Sequence, residues 1–340
     1  GEWKSTRIVE AVAAPFSQTT YKLSDDGIEA ASIVFKDGKP ISNPQARGTL
    51  NGWTGYSRTI KLFETGLPDG GEAWLEEVML PTRAWYTKPT KRYPHGALGD
   101  DIEAAELTVQ LGQLEFGRFV HKLPENQVFE DRMPRVVDLD GYGKASVITI
   151  LSDVEKGASV ALFGSTEQDG PRGKLHLAAQ TPYIGTPNRW LNIAGIEDFD
   201  GSGSQSIALV ETPHIGGTLQ FWRWSWPFQR KTGAPPPKAT LTKIAEAPGF
   251  SNHKFGSREQ RLSAVEDFDN DGVSDLALPS ADRKTLKLVK LSGFENPQIQ
   301  EIASIPLPSP IDKAIGVSRN DDDVVITVGL EDGSVYAIHQ

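Results

Sequence analysis

The 340-residue chain contains no cysteine. This excludes disulfides, cysteine-ligated zinc and thiol chemistry, and it says little about compartment, because exported proteins often lack cysteine too. No apolar run approaches the ~18–20 residues that a membrane-crossing helix needs. There is no basic excess: 35 Lys and Arg face 45 Asp and Glu, a net charge of −10. A nucleic-acid partner would select a basic face, so this balance argues against one, and against simple attraction to anionic membrane. The six histidines, at 95, 121, 176, 214, 253 and 339, show no His-x-x-x-His or His-Glu-x-x-His spacing. No Gly-x-Ser-x-Gly elbow, phosphate loop or dinucleotide fingerprint occurs. The chain opens on Gly1 without a signal-like segment. The expectation is a mature or trimmed chain whose signal peptide has been removed, located in the periplasm or outside the cell.

What is present is turn chemistry and core. Glycine (33) and proline (23) are abundant, hydrophobic residues make up 38%, and there are eight tryptophans. That combination favours many short strands joined by turns over a helical fold. The length allows two ordinary domains or one large repeat architecture.

Internal repeats decide between these. The most regular stretch is Asp267-Phe268-Asp269-Asn270-Asp271-Gly272-Val273-Ser274-Asp275, with carboxylates at relative positions 1, 3, 5 and 9 and glycine at 6. It is like the first half of an EF-hand loop, yet position 12 is Leu278, and the flanks Leu262–Val265 and Leu276–Leu278 read as strands. Two further copies align with it, opening at Asp138 (Asp138-Leu139-Asp140-Gly141-Tyr142-Gly143) and Asp198 (Asp198-Phe199-Asp200-Gly201-Ser202-Gly203). Fainter anchors are Asp25-Asp26-Gly27, Gly99-Asp100-Asp101 and Asn320-Asp321-Asp322-Asp323. The Ile-Glu-Ala-Ala segments after Asp26 and Asp101 read as strands, because the better copies have a strand there.

Each strong anchor opens a series of β-branched and aromatic runs separated by Gly, Pro and Asp turns. Four antiparallel strands per repeat make a β-propeller blade. The expected fold is therefore all-β, a single propeller domain over 1–340. Six blades are favoured, at about 13–92, 93–130, 131–188, 189–252, 253–310 and 311–340 plus 1–12, with seven as the alternative. The runs Lys243–Pro248 and Glu301–Pro306 look like Arg7–Val12, so the N-terminal strand is expected to complete the C-terminal blade and remove two open edges.

The Asp-x-Asp-x-Asp-Gly-x-x-Asp loop between strands, at blade spacing, resembles the FG-GAP or VCBS repeat found in integrin-α-like propellers. The likeness is strong at 267–275, fair at 198–206, weak at 138–146, and positional only at 25, 100 and 320. It covers about two thirds of the chain. The Phe-Gly-Gly-Ala-Pro signature is not intact, and Leu162-Phe163-Gly164-Ser165 is its nearest echo. The resemblance implies a propeller, calcium in blade loops, export, and a binding or scaffolding role without specifying the ligand.

From the residues, Asp267, Asp269, Asp271 and Asp275, with the carbonyl of Val273, form a candidate Ca²⁺ set, since hard cations take oxygen ligands and bare carboxylates at close range repel. In Asp198, Asp200, Ser202 and Ser206 two carboxylates are lost, which weakens the set. The 138–146 loop reads as a structural turn. Any such ion is expected to be structural.

Candidate binding surfaces are Trp222, Trp224 and Trp226, which alternation places on one strand face, and the basic, aromatic stretch around Trp85 and Tyr86. Blade-to-blade packing is the competing reading for the tryptophans. The leading function is a non-enzymatic, calcium-stabilised module for a protein partner. One alternative is a propeller enzyme, such as a polysaccharide lyase or hydrolase, with His95, His253 and Arg258 converging at a central mouth. The other is a carbohydrate-binding lectin, which requires exposed indoles.

Overall fold

A computed structural model describes residues 2–8, 67, 71–75, 78–112, 117–139, 141–165, 175–225, 239–293, 295–320 and 323–340, and five strands between 23 and 58. Among these residues every regular element is a β-strand, and no helix is long and apolar enough to cross a membrane.

In chain order the strands are β1 (Lys4–Ile8), β2 (Leu23–Ser24), β3 (Gly27–Ile28), β4 (Ala31–Lys36), β5 (Lys39–Arg47), β6 (Tyr56–Arg58), β7 (Glu72–Leu75), β8 (Thr82–Thr90), β9 (Glu103–Leu111), β10 (Arg118–Lys122) and β11 (Gln127–Phe129). They continue with β12 (Arg135–Val137), β13 (Ser146–Asp153), β14 (Gly157–Ser165), β15 (Leu175–Gln180), β16 (Leu191–Glu197), β17 (Ser206–Glu211), β18 (Thr218–Ser225) and β19 (Thr240–Pro248). The last are β20 (Ala264–Glu266), β21 (Asp275–Pro279), β22 (Thr285–Ser292), β23 (Gln298–Pro306), β24 (Gly316–Asn320), β25 (Asp323–Gly329) and β26 (Val335–His339).

Three separate four-stranded antiparallel sheets run in chain order: β16 to β19, β20 to β23, and β24-β25-β26 completed by β1. In the last, β1 pairs with β26 from Lys4↔His339 to Ile8↔Val335. A fourth run, β12 to β15, belongs to a ten-stranded sheet that also holds β6 to β10. Short β11 joins its two halves, pairing with β13 and, through Phe129↔Ala104, with β9. The strands β4 and β5 form a hairpin that lies beside β24.

The apolar side chains fill the spaces between successive sheets. Along β17, Ile207 and Leu209 face a core shared with β13 and β14, whereas Ala208 and Val210 face one shared with β21 and β22. Alternate residues therefore enter different cores. A strand covered on both faces reads as a continuous apolar run, as in Ile207–Val210 of β17. Third and fourth strands share a further regularity: a register shift interrupts their pairing at Leu162/Phe163, Phe221/Trp222 and Leu288/Val289. Such bulges bend and twist the outer strand.

Two sequence expectations need correction. The break expected at 92/93 lies inside a hairpin, because β8 and β9 pair from Thr82↔Leu111 to Thr90↔Glu103. The strong acidic loops join the first strand of a sheet to the second, but Asp100 lies between β8 and β9. There it receives a hydrogen bond from Ile102 N (2.8 Å) and lies 3.6 Å from Arg258. Short acidic turns recur at either end of a sheet, so spacing alone could not assign it. Residues 321–322 and 25–26 lie outside the described residues.

Candidate functional site

Two constellations carry chemistry. The first is the Asp267–Asp275 loop between β20 and β21. Asn270 and Gly272 adopt positive φ (60° and 87°), which folds the backbone back on itself. Asp267 accepts from the Asp271 and Gly272 amides at 3.0 and 2.9 Å, and Asp271 accepts from Val273 N at 2.9 Å. The carboxylates of Asp267, Asp269 and Asp275 bring one oxygen each to within 4.8 Å of one another. Asp275 is fully buried; its Oδ2 accepts from Phe268 N (2.8 Å), while its Oδ1, like Asp269 Oδ1, is buried with no hydrogen-bond partner. Burial pushes the Asp275 carboxyl up to about 7, with the charges of Asp269, Asp271 and Asp267 adding to it and the Phe268 hydrogen bond opposing it.

That arrangement fits a hard cation, since oxygens coordinating one Ca²⁺ at ~2.4 Å lie within about 4.8 Å of each other. Asp271 stands apart from the trio. Its Oδ2, with Asp269 Oδ2, accepts from Lys290 Nζ at 2.8 and 2.5 Å. The amide of Val273 is the group engaged within the loop. Arg319, from the neighbouring sheet, donates to Glu266 (3.0 Å), Asn270 (2.9 Å) and the Asp267 carbonyl.

The 198–206 loop is closed by its own amides and by Arg223 of β18. Asp198 accepts from the Ser202 and Gly203 amides at 2.9 and 2.7 Å. Asp200 accepts from Ser202 N (3.1 Å) and from Arg223 Nε (3.0 Å). Ser206 Oγ is buried without a partner. In the 138–146 loop Asp138 accepts from Gly143 N at 2.8 Å, which fits a structural turn; Asp140 lies outside the described residues.

The second constellation sits where the segments entering β12, β16 and β20 meet the loops after β8 and β17. Glu130 is fully buried. Its Oε1 lies 2.5 Å from His95 Nδ1, and its Oε2 accepts from Ser152 Oγ at 2.5 Å. Burial pushes the Glu130 carboxyl up, and the His95 contact opposes that. His253 is buried, and its Nε2 faces the Ser257 carbonyl at 2.9 Å. A carbonyl only accepts, so neutral His253 is protonated at Nε2, and its Nδ1 accepts from His214 Nε2 at 2.8 Å. Burial pushes His214 down to about 4 and His253 to about 3. Phe255 stands edge-on to both His95 and His214, at 5.9 and 5.2 Å between ring centres. It is 55% exposed and nearby Ile215 is 60% exposed.

Buried side-chain amides and one backbone amide stitch these segments together. Asn192 Nδ2 donates to the Asn252 and Gln260 carbonyls, at 3.1 and 2.7 Å. Gln260 Nε2 donates to Asp131 Oδ1 at 3.1 Å, and Gly256 N donates to the Ala97 carbonyl at 2.9 Å. The last two bonds span sheets that are not consecutive in the chain.

Sequence reasoning proposed His95, His253 and Arg258 for one mouth. His95 and His253 do belong to this cluster, and Arg258 pairs with Asp100 at its edge. His214, Glu130 and Phe255 were missed; the signal available was only that each lies in a loop between predicted strands. The aromatic surfaces fail on burial. Trp85 and Tyr86 are 7% and 1% exposed: Tyr86 stacks on Phe129 at 5.0 Å between ring centres within a core that includes Phe163, and the Arg118 guanidinium lies over the Trp85 ring. Trp222 is buried and half-buried Trp224 packs on the same core, so alternation identifies one face correctly and that face is internal. Trp226 lies outside the described residues. No protein-family model matches the chain, and no curated protein matches it.

Proposed function

We propose that the sheets close into a six-bladed β-propeller, of the FG-GAP or VCBS kind, that is exported and serves as a non-enzymatic module binding a protein partner. Ring closure is supported by the β1–β26 pairing, by β4 and β5 lying beside β24, and by bonds between non-consecutive sheets such as Gln260–Asp131. The observation that carries the binding reading is the exposed pair Phe255 and Ile215, standing over a rigid buried network. Apolar side chains held out on such a base mark interaction sites. In this reading Asp267, Asp269 and Asp275 hold a structural Ca²⁺. The test is capture from a native envelope extract by wild type and by a Phe255→Ser, Ile215→Ser double variant. A protein retained by the first and lost by the second is expected; equal retention overturns the assignment. For the ion, chelator should lower the Tm of wild type by several degrees and leave Asp269→Ala nearly unaffected. Insensitivity of wild type removes calcium from the proposal.

A lyase or hydrolase reading rests on one observation: Glu130 fixes His95 at Nδ1, leaving Nε2 as a base on a side chain that is 10% exposed. Turnover of an acidic polysaccharide or ester, lost in His95→Asn, would make this the better reading. Among the described residues, the indoles that the lectin reading needs exposed are buried (Trp222) or half-buried (Trp224).

A further inference from the structure

Lys290 occupies a position that recurs. It comes directly after Val289, the partner of Leu276, so it stands across from Asp275, the ninth position of the acidic loop. In the preceding sheet Arg223 pairs with Ser206, the ninth position of that loop. Both basic side chains reach back to the third loop position: Lys290 to Asp269 at 2.5 Å, and Arg223 to Asp200 at 3.0 Å. Two sheets with different loop chemistry thus place a cation on the same spot of the third strand.

The oxygens divide between two sides of the loop. Lys290 takes Oδ2 of Asp269 and Oδ2 of Asp271. The buried oxygens without partners, Oδ1 of Asp269 and Oδ1 of Asp275, are not the ones it uses. Asp269 can therefore serve an ion and the ammonium at once. Asp271, which is not among the trio within 4.8 Å, is engaged by Lys290 beside Asp269.

We infer that Lys290 is a tethered cation that sets the divalent-ion affinity of this loop, by withholding Asp271 from the ligand set and adding one positive charge beside it. Calcium sites are tuned by ligand charge count, so the expected site is weak. The same device is complete in the 198–206 loop. There the permanently charged Arg223 faces a loop with only two carboxylates, and no ion is needed.

This inference rests on the ion-binding reading of 267–275. Calcium titration by calorimetry, with Tm in calcium and in chelator, is carried out on wild type, Lys290→Met and Lys290→Gln. Removing the charge should tighten Ca²⁺ binding on the order of tenfold, through one more carboxylate and one less competing charge. The variants should also melt below wild type in chelator, where the carboxylates have lost their counter-charge, and gain more than wild type from calcium. A merely structural lysine would lower both melting points equally. If wild type binds and both variants bind with unchanged affinity, the tethered-cation role is wrong and the ion site stands. If none of the three binds calcium at millimolar concentration, both fail. Binding by the variants alone would mean that the ammonium stands in place of an ion in wild type, which overturns the calcium reading and, with it, Lys290 as the group that sets its affinity.

Discussion

Single side chains in this protein are held mainly by burial, and for the histidine pair burial makes stability depend on pH. His214 and His253 have folded values of about 4 and about 3, below the ordinary imidazole value of ~6.5. The unfolded chain therefore binds more protons across this window. The stability that these neutral rings confer is complete above about pH 6.5 and is lost as pH falls toward 4. Glu103, Glu130 and Asp131 are pushed up by burial and act in the opposite direction. A difference measurement isolates the histidine contribution. The gap in Tm between wild type and His214→Asn should narrow between pH 7 and pH 4.5. A gap that stays constant would mean that His214 titrates alike in the folded and unfolded chains. The glycine of the tight turn into β14 shows the other residue-scale constraint. Gly157 has φ of 73°, and a Cβ there would lie 2.4 Å from the Thr186 carbonyl, so no side chain fits without moving backbone.

Among the elements, β1 contributes more than its five residues suggest. It covers the edge of β26, and Trp3 beside it packs edge-on against Phe268 of the acidic loop's own core, at 6.1 Å between ring centres. Removing residues 1–8 should open a strand edge and cost about 3 kcal/mol or more, by loss of the ladder and of the tryptophan contact. Urea unfolding measures this directly. A synthetic peptide of the missing segment should restore part of the midpoint. If truncation leaves the midpoint unchanged, the terminal strand is an ornament of the sheet.

For the whole molecule, the repeating sheet was legible in the sequence because its signals are local. Acidic turns, β-branched runs and the likeness between Arg7–Ile8 and the outer strands at Ile244 and Ile302 are each carried by a few adjacent residues. The structure places these three segments in β1, β19 and β23. Of the buried histidine cluster, His95 and His253 were singled out in the sequence, whereas Glu130, His214 and Phe255 were not, since these meet only when loops distant in the chain come together. Exposure was misread for a related reason. A Trp-rich run marks one strand face, but whether solvent or another sheet lies over that face depends on neighbours far away in the chain, such as Ile148 and Leu162 against Trp222. The acidic loop was half legible: spacing brings out Asp267, Asp269, Asp271 and Asp275 together, whereas the ammonium that engages Asp271 comes from the third strand.

The pairing of β1 with β26 also has a consequence in time. Thr6 and His339, which share a hydrogen bond of 3.1 Å, are 333 positions apart. At ~5–20 residues per second of synthesis, the first strand waits roughly 17 to 67 s for its neighbour to be made. Throughout that interval β1 is without the strand it pairs with. The sheet of β24, β25, β26 and β1 therefore becomes complete only once β26 has been made.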